Sequence, residues 1–400
     1  MASARNYLVV TASYWGFTLV DGALRMVVLL HFFQLGYAPL TLSFLFLLYE
    51  FAGIVANLAG GWLAVRFGIP RMLMAGQALQ IVGLLALSAL DPGWSAAGSV
   101  AWVVLAQGIA GLAKDFTKTA SKSAIKATAA GGSGQLFRWV AWFTGSKNAV
   151  KGVGFFAGGA LLEAAGFRGA LWLMAGAILL PPRLGRAKAS RSMRELFAKS
   201  RGVNLLAAAR VFLFGARDVW FVVGLPVFLY ASGWRFAEVG AFLAAWTIAY
   251  GGLQAIAPRL VPRSSDGLSR EVPAARLWAG LLLAIPVALA ILLPRTIAGQ
   301  ADLLVIGALS LFALPFAVNS SLHSYLILAY AGSEKAAEDV GFYYAANALG
   351  RLIGILLSGA LYQAGGLIGC LLGATALLAS CCMITFLLPA STPEPWRATP

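Results

Sequence analysis

"GFFAGGALLEAAGFRG" (154–169) and "GILLSGALYQAGGLIG" (354–369) are one phrase written twice, 200 residues apart. They share Gly, then Gly-Ala-Leu, then Ala, Gly and Gly at matching places, and the same offset sets Lys151 opposite Arg351. At the similar offset of 197, Asp21 falls opposite Asp218. Self-similarity over so long a period points to a duplicated architecture, and parallel repeats are one way membrane transporters are built. The chain reads as two like halves.

Apolar runs recur on both sides of each copy, at roughly 8–31, 41–65, 72–90, 98–121, 138–162, 167–182, 204–231, 237–258, 275–294, 302–330, 340–363 and 367–389. Most meet the roughly 17 to 25 residues that a spanning helix needs. Only 11% of the 400 residues are charged and 60% are hydrophobic, with mean hydropathy +0.81. That composition excludes an ordinary water-soluble globule. The expected fold is an all-α membrane protein of twelve helices, its sixth cut short by Pro181 and Pro182. The basic stretch "RLGRAKASRSMRELFAKSRG" (183–202) separates the halves. Expected domains are an N-terminal six-helix bundle (1–182), a basic cytoplasmic linker (183–203), a C-terminal six-helix bundle (204–389) and a cytoplasmic tail (390–400).

The net charge of +15 has a topological explanation. Arg66, Arg71, Lys122, Lys126, the linker cations, Arg259, Arg263 and Arg270 lie in alternate connections, whereas the others hold little beyond Arg168, Arg235 and Arg295. The positive-inside rule then puts both termini in the cytoplasm. No nucleic-acid-binding pattern surrounds these residues. The first apolar run starts within a few residues of Met1 and reaches spanning length, as a signal anchor does. Cys370, Cys381 and Cys382 show no CxxC or paired spacing, so they read as packing residues, with no metal site expected.

Ionisable residues deep in the helices carry the functional signal. They occur in helix 1 (Asp21, Arg25), helix 2 (Glu50), helix 4 (Lys114, Asp115, Lys118), helix 5 (Lys147, Lys151), helix 7 (Arg210, Arg217, Asp218) and helix 11 (Arg351), while helix 10 adds Asn319 and His323. Helices 3, 6, 9 and 12 have none. A charge-free helix at every third position fits four lipid-facing helices and eight around a polar cavity, the arrangement of the major facilitator superfamily. Within helices the polar residues form stripes: Tyr14, Thr18, Asp21 and Arg25; Gln107, Lys114, Lys118 and Ser121; Tyr344, Asn347 and Arg351.

A Lys or Arg at mid-bilayer costs about 2.5 to 3.5 kcal/mol on insertion scales, so these cations must face water, counter-ions or a ligand. Arg25, Lys114, Lys118, Lys147, Lys151, Arg210, Arg217 and Arg351 outnumber Asp21, Glu50, Asp115 and Asp218 by two to one. The excess points to an anionic substrate, with Tyr14, Asn148 and Asn347 as further binding candidates. Arginine's planar fork suits bidentate contact with phosphate, arsenate or carboxylate, and lysine supplies a mobile point charge. Lys118, Lys122 and Lys126 also fit snorkelling at the inner end of helix 4. Asp21 with Arg25, and Asp218 with Arg217, read as locked pairs or proton carriers. Glu50 has no basic neighbour a turn away in its own helix, which makes it the first candidate for proton coupling beside a plain hydrogen-bonding role. His31 and His323 read as satisfied polar residues ahead of proton relays.

Two motifs are family-like. "GGWLAVRFGIPR" (60–71) resembles the facilitator gating loop through Gly61, Arg66, Gly68 and Arg71, with Val65 at the usual acidic position. "GFFAGG" (154–159) resembles the helix 5 antiporter motif, with Phe155 in place of proline, and points to close helix packing. No P-loop, His-Glu-x-x-His or Gly-x-Ser-x-Gly is present. The expectation is a transporter without cofactor, driven by an ion or substrate gradient.

The segments "NYLVVTASYWGFTLVDGALRMVVLLHF", "LFLLYEFAGIVANLAGGWLA", "AGLAKDFTKTASKSAIK", "RWVAWFTGSKNAVKGVGFF" and "AARVFLFGARDVWFVVGLPVFL" resemble the bacterial organoarsenical efflux permeases of the ArsJ family, within the major facilitator superfamily. The resemblance covers most of the chain to about residue 260 and resumes around helices 10 and 11. It implies efflux of 1-arseno-3-phosphoglycerate across the bacterial inner membrane, conferring arsenate resistance. Glyceraldehyde-3-phosphate dehydrogenase, which makes that ester from arsenate, would be the functional partner. A monomer in the lipid bilayer, with no nucleic-acid partner, is expected. Export of other anionic organophosphates and a transport-inactive membrane sensor are the alternatives.

Overall fold

Inside hydrocarbon, backbone N–H and C=O groups must satisfy one another, which limits spanning structure to helices or closed barrels. This chain uses helices. A computed structural model describes residues 2–56, 69–128, 133–178, 200–262, 264, 268–297, 299–330 and 336–390. In chain order α1 is Ala2–Gln34, α2 Pro39–Ala56, α3 Ile69–Ser88 and α4 Ala96–Thr128. Ser133–Ala177 breaks at Gly166 into α5 and α6. Then come α7 Arg201–Ala231, α8 Phe236–Ile256, α9 Glu271–Leu292 and α10 Ala301–Tyr330. Ala336–Phe386 breaks at Gly365 and Gly366 into α11 and α12.

The two breaks fall on the repeated phrase. Gly166 has φ 65° and Gly366 φ 59°, in the left-handed region that a Cβ makes costly, so glycine is the residue that lets the helix stop there. In the second half the reversal is visible in packing: a Cβ on Gly373 would strike the side chain of Leu361. Twelve residues of straight helix would separate those positions by about 18 Å. The chain has folded back on itself.

Glycine also sets helix spacing. Gly154 and Gly158 of "GFFAGG" lie against the α1 backbone at Leu19 and Ala23, and Gly350 and Gly354 lie against α7 at Val211 and Gly215. Small residues let backbones approach where no hydrophobic force separates helix from lipid. The halves meet at two further crossings. α5 meets α8, where a Cβ on Gly152 would sit 2.8 Å from the Ala244 carbonyl and one on Gly240 2.7 Å from that of Phe155. α2 meets α11, where Gly359 faces Pro39, Leu40 and Ser43.

Local chemistry explains the ends. α2 starts at Pro39, whose missing N–H falls where the helix needs none. Ser200 caps α7, its Oγ accepting the Val203 N–H at 3.3 Å. Residues 222–223 interrupt α7 just before Pro226, whose ring clashes with the carbonyl four residues back. Gly224 donates its N–H to Ser358 Oγ, 3.0 Å away on α11. The second bundle therefore begins at Arg201, three residues before the expected 204. α6 is described as helix to Ala177; the remainder of its expected span and most of the linker (179–199) lie outside the described residues, as do Gly61, Arg66, Gly68 and the tail from 391. Arg71, the remaining gating-loop candidate, is exposed at the start of α3.

α3, α6, α9 and α12 turn Met74, Trp172, Leu277 and Leu372 outward, as lipid-facing helices would. Large apolar side chains such as Phe32, Trp220, Phe312 and Phe316 fill the interior. The other helices close around a polar cavity.

Candidate binding cavity

A cavity of about 260 Å³ lies between the halves, and a smaller pocket of about 70 Å³ continues it into the first bundle. Arg25, Lys118, Lys147, Lys151, Arg210, Arg217 and Arg351 line the larger space together with Asp218, Asn148 and Asn347. Lys114, Tyr14, Asp21, Glu50 and Asp115 line the smaller. Thus the eight cations, four carboxylates and three polar residues singled out by helical stripes converge on one connected space.

The carboxylates organise most of these cations into a network. Glu50, only 1% exposed, meets Arg25 at 2.5 Å, Arg351 at 2.8 Å and Lys114 at 3.8 Å. Glu50 has no basic neighbour in its own helix, and its partners come from three other helices, which spacing within α2 could not reveal. Arg351 also meets Asp218 at 3.2 Å, and Asp218 meets Arg217 at 2.5 Å. Glu50 and Asp218 thereby connect the two bundles through Arg351. Of the two readings of Asp21, locked pair with Arg25 or proton carrier, the pair does not form; Asp21 accepts a hydrogen bond from the Tyr49 hydroxyl and faces Lys151 at 3.7 Å. Lys118 is turned inward, 3.2 Å from Asp115 and over the Tyr344 ring. Lys114 sits 3.9 Å above the Tyr49 ring, where the ring quadrupole favours a cation.

A second region of the wall sets uncharged polar side chains around Arg210. Arg210 Nε donates to Asn347 at 2.9 Å, and its Nη1 donates to the Ser320 carbonyl at 3.1 Å and hydroxyl at 3.3 Å. Asn148 donates to Gln254 at 2.9 Å, and Gln254 donates to Tyr250 at 2.7 Å. Thr247, Tyr250 and Gln254 of α8, with Ser320 and Ser324 of α10, line the cavity, and none was singled out from sequence. Their signal was legible as the spacings i, i+3, i+7 and i, i+4, but it consists of uncharged residues. Asn319 and His323 are fully buried in α10 and are not among the lining residues. His31 stacks on Phe167 with ring centroids 4.1 Å apart.

Eight basic and four acidic side chains line this space. Among the described residues no cluster of His, Cys, Asp and Glu suits a metal ion. The three cysteines are free thiols on α12.

The Major Facilitator Superfamily model matches residues 7–349. No curated protein matches. Among solved structures, a bacterial homologue of the iron transporter ferroportin in an inward-facing state is similar, with TM-score 0.74 and 13% identity over 97% of this chain and 99% of that one. At that identity the likeness is one of fold.

Proposed function

The chain belongs to the major facilitator superfamily, and from that premise we propose that this multi-pass secondary transporter exports 1-arseno-3-phosphoglycerate by alternating access, conferring arsenate resistance. The observation that carries the reading is the cavity, where eight cations face four carboxylates. The ester has a phosphate and an arsenate group and no positive charge, so the unbalanced half of the lining matches it. The iron in the neighbour's description is a cation, which this lining repels.

In this reading the protein is a monomer in the bacterial inner membrane with both termini cytoplasmic. The ester, made by glyceraldehyde-3-phosphate dehydrogenase, enters from the side of the basic connections. Its oxyanions compete with Glu50 and Asp218 for Arg25, Arg217 and Arg351, which loosens the link between bundles. Outside, the ester breaks down to arsenate and 3-phosphoglycerate.

Everted membrane vesicles test the proposal, supplied with arsenate, glyceraldehyde-3-phosphate, NAD and the dehydrogenase. Arsenic accumulation that needs every component is expected. Arsenic-independent accumulation of 3-phosphoglycerate would move the reading to a general organophosphate exporter. No accumulation, with arsenate resistance unchanged in Arg25→Gln and Lys151→Gln, would favour a sensor.

A further inference from the structure

Counter-ions separate Arg210 from the other arginines of the cavity. Arg25, Arg217 and Arg351 each have a carboxylate within 2.8 Å. Arg210 is 5% exposed, and its hydrogen bonds end on an amide, a hydroxyl and a carbonyl. Its guanidinium lies over the rings of Phe214 at 4.0 Å and Tyr343 at 4.9 Å. Those contacts fix the plane of the fork, but they do not neutralise it. No carboxylate reaches it among the described residues, and its Nη2 makes no hydrogen bond there, although the residue lines the cavity.

A buried charge without a partner is expensive, and chains keep such groups paired, neutral or bound to a ligand. Arginine does not become neutral in proteins. An acidic group on the cargo would supply the counter-charge that no described carboxylate supplies. We infer that Arg210 is the primary oxyanion-binding residue of the cavity, taking a phosphoryl, arsenyl or carboxylate group on its open Nη edge, with Asn347 and Ser320 holding the fork in position. The carboxylate-paired arginines act after it, as links between bundles that the bound anion perturbs. This assignment rests on the proposed export of an anionic ester and names the residue that reads its acidic end.

The experiment uses the full-length protein in lipid nanodiscs, with inorganic phosphate, 3-phosphoglycerate and glycerol 3-phosphate as probes. Wild type should bind at least one of them and melt at a higher temperature when it does. Arg210→Gln should weaken that binding about 30-fold, the scale of a hydrogen bond to a charged group, and should melt without ligand at or above the wild-type temperature because an unpaired buried charge has gone. Arg210→Lys should fall between, keeping the charge but not the fork. Arg25→Gln, which takes from Glu50 one of its three cations, should instead melt lower. A structural arginine would give the reverse for Arg210→Gln, a lowered melting temperature. That result, binding within about threefold of wild type, or no wild-type response to any probe would each overturn the assignment. The vesicle assay keeps the two readings apart: arsenic export undiminished by Arg210→Gln overturns the subsite alone, and probe binding without arsenic export overturns the arsenate ester alone.

Discussion

The two bundles are built alike in backbone and differently in charge. In each, the fifth helix lays glycines against the first, Gly154 and Gly158 on α1 and Gly350 and Gly354 on α7, and each ends its fifth helix at a left-handed glycine. Each also sets an aspartate of its first helix against a base of its fifth, Asp21 with Lys151 and Asp218 with Arg351. There the likeness stops. Lys151 touches one carboxylate at 3.7 Å, whereas Arg351 spans two, Asp218 in its own bundle and Glu50 in the other. A lysine is a single point charge on a flexible stem; arginine's fork serves two acceptors at once. The halves share a backbone frame, and the lysine-to-arginine difference makes one copy of the pair the joint between them.

The largest effect should come from cutting that joint at Glu50. Glu50→Gln leaves Arg25 and Arg351 without their shared carboxylate and Lys114 with Asp115 alone. Removing one member of a buried ion pair costs about 3 to 5 kcal/mol, so the variant should melt well below wild type and lose nearly all arsenic accumulation in vesicles. Normal melting with normal export would show that the bundles are not joined there.

The lysine-arginine difference itself is tested by exchange. Arg351→Lys cannot keep both contacts, and losing one charge-assisted hydrogen bond costs about 1.5 to 3 kcal/mol, so export should fall at least tenfold at that scale. Lys151→Arg should keep at least about half of export, since Asp21 meets it as one point charge. Equal losses in initial-rate assays would mean that the two pairs do the same work.

How far the sequence exposed this arrangement follows from the kind of signal. The repeat, the helical class and the deep ionisable residues were legible because glycine and charge are conspicuous in an apolar chain, and Gly166 and Gly366 stand at one offset. The partners of Glu50 were not, since Arg25, Lys114 and Arg351 reach it from three helices whose rotation no single periodicity fixes. Tyr250, Gln254 and Ser320 escaped because their stripes carry no charge. Arg210 stood among the candidates, but the lack of a carboxylate beside it among the described residues is a tertiary fact, settled by how α7, α10 and α11 pack.

The shared frame can be probed at its hinges. Gly366→Ala forces a Cβ into φ 59°, and Gly166→Ala does so at φ 65°. Each should cost about 1 to 2 kcal/mol, with similar drops in melting temperature. Unequal drops would mean that only one half depends on a glycine reversal, and the duplication would then be one of sequence more than of mechanics.

The smallest effect should come from a second ionic link between halves among the described residues. Arg235, 68% exposed, stands 3.7 Å from Glu163 and 3.0 Å from Glu238, and Glu163 also accepts the Ala237 N–H at 3.2 Å. These groups lie at the end of the bundles opposite the basic connections, where water and salt screen them. Exposed pairs contribute little, so Glu163→Ala should change export by less than about twofold, and raising the salt concentration should change wild type no more. The same formal bridge between bundles thus counts for much when buried at Glu50 and for little when wet at Glu163. A large loss in Glu163→Ala would reverse that ranking and make the exposed end, with its hydrogen bond to the start of α8, the contact that holds that end shut.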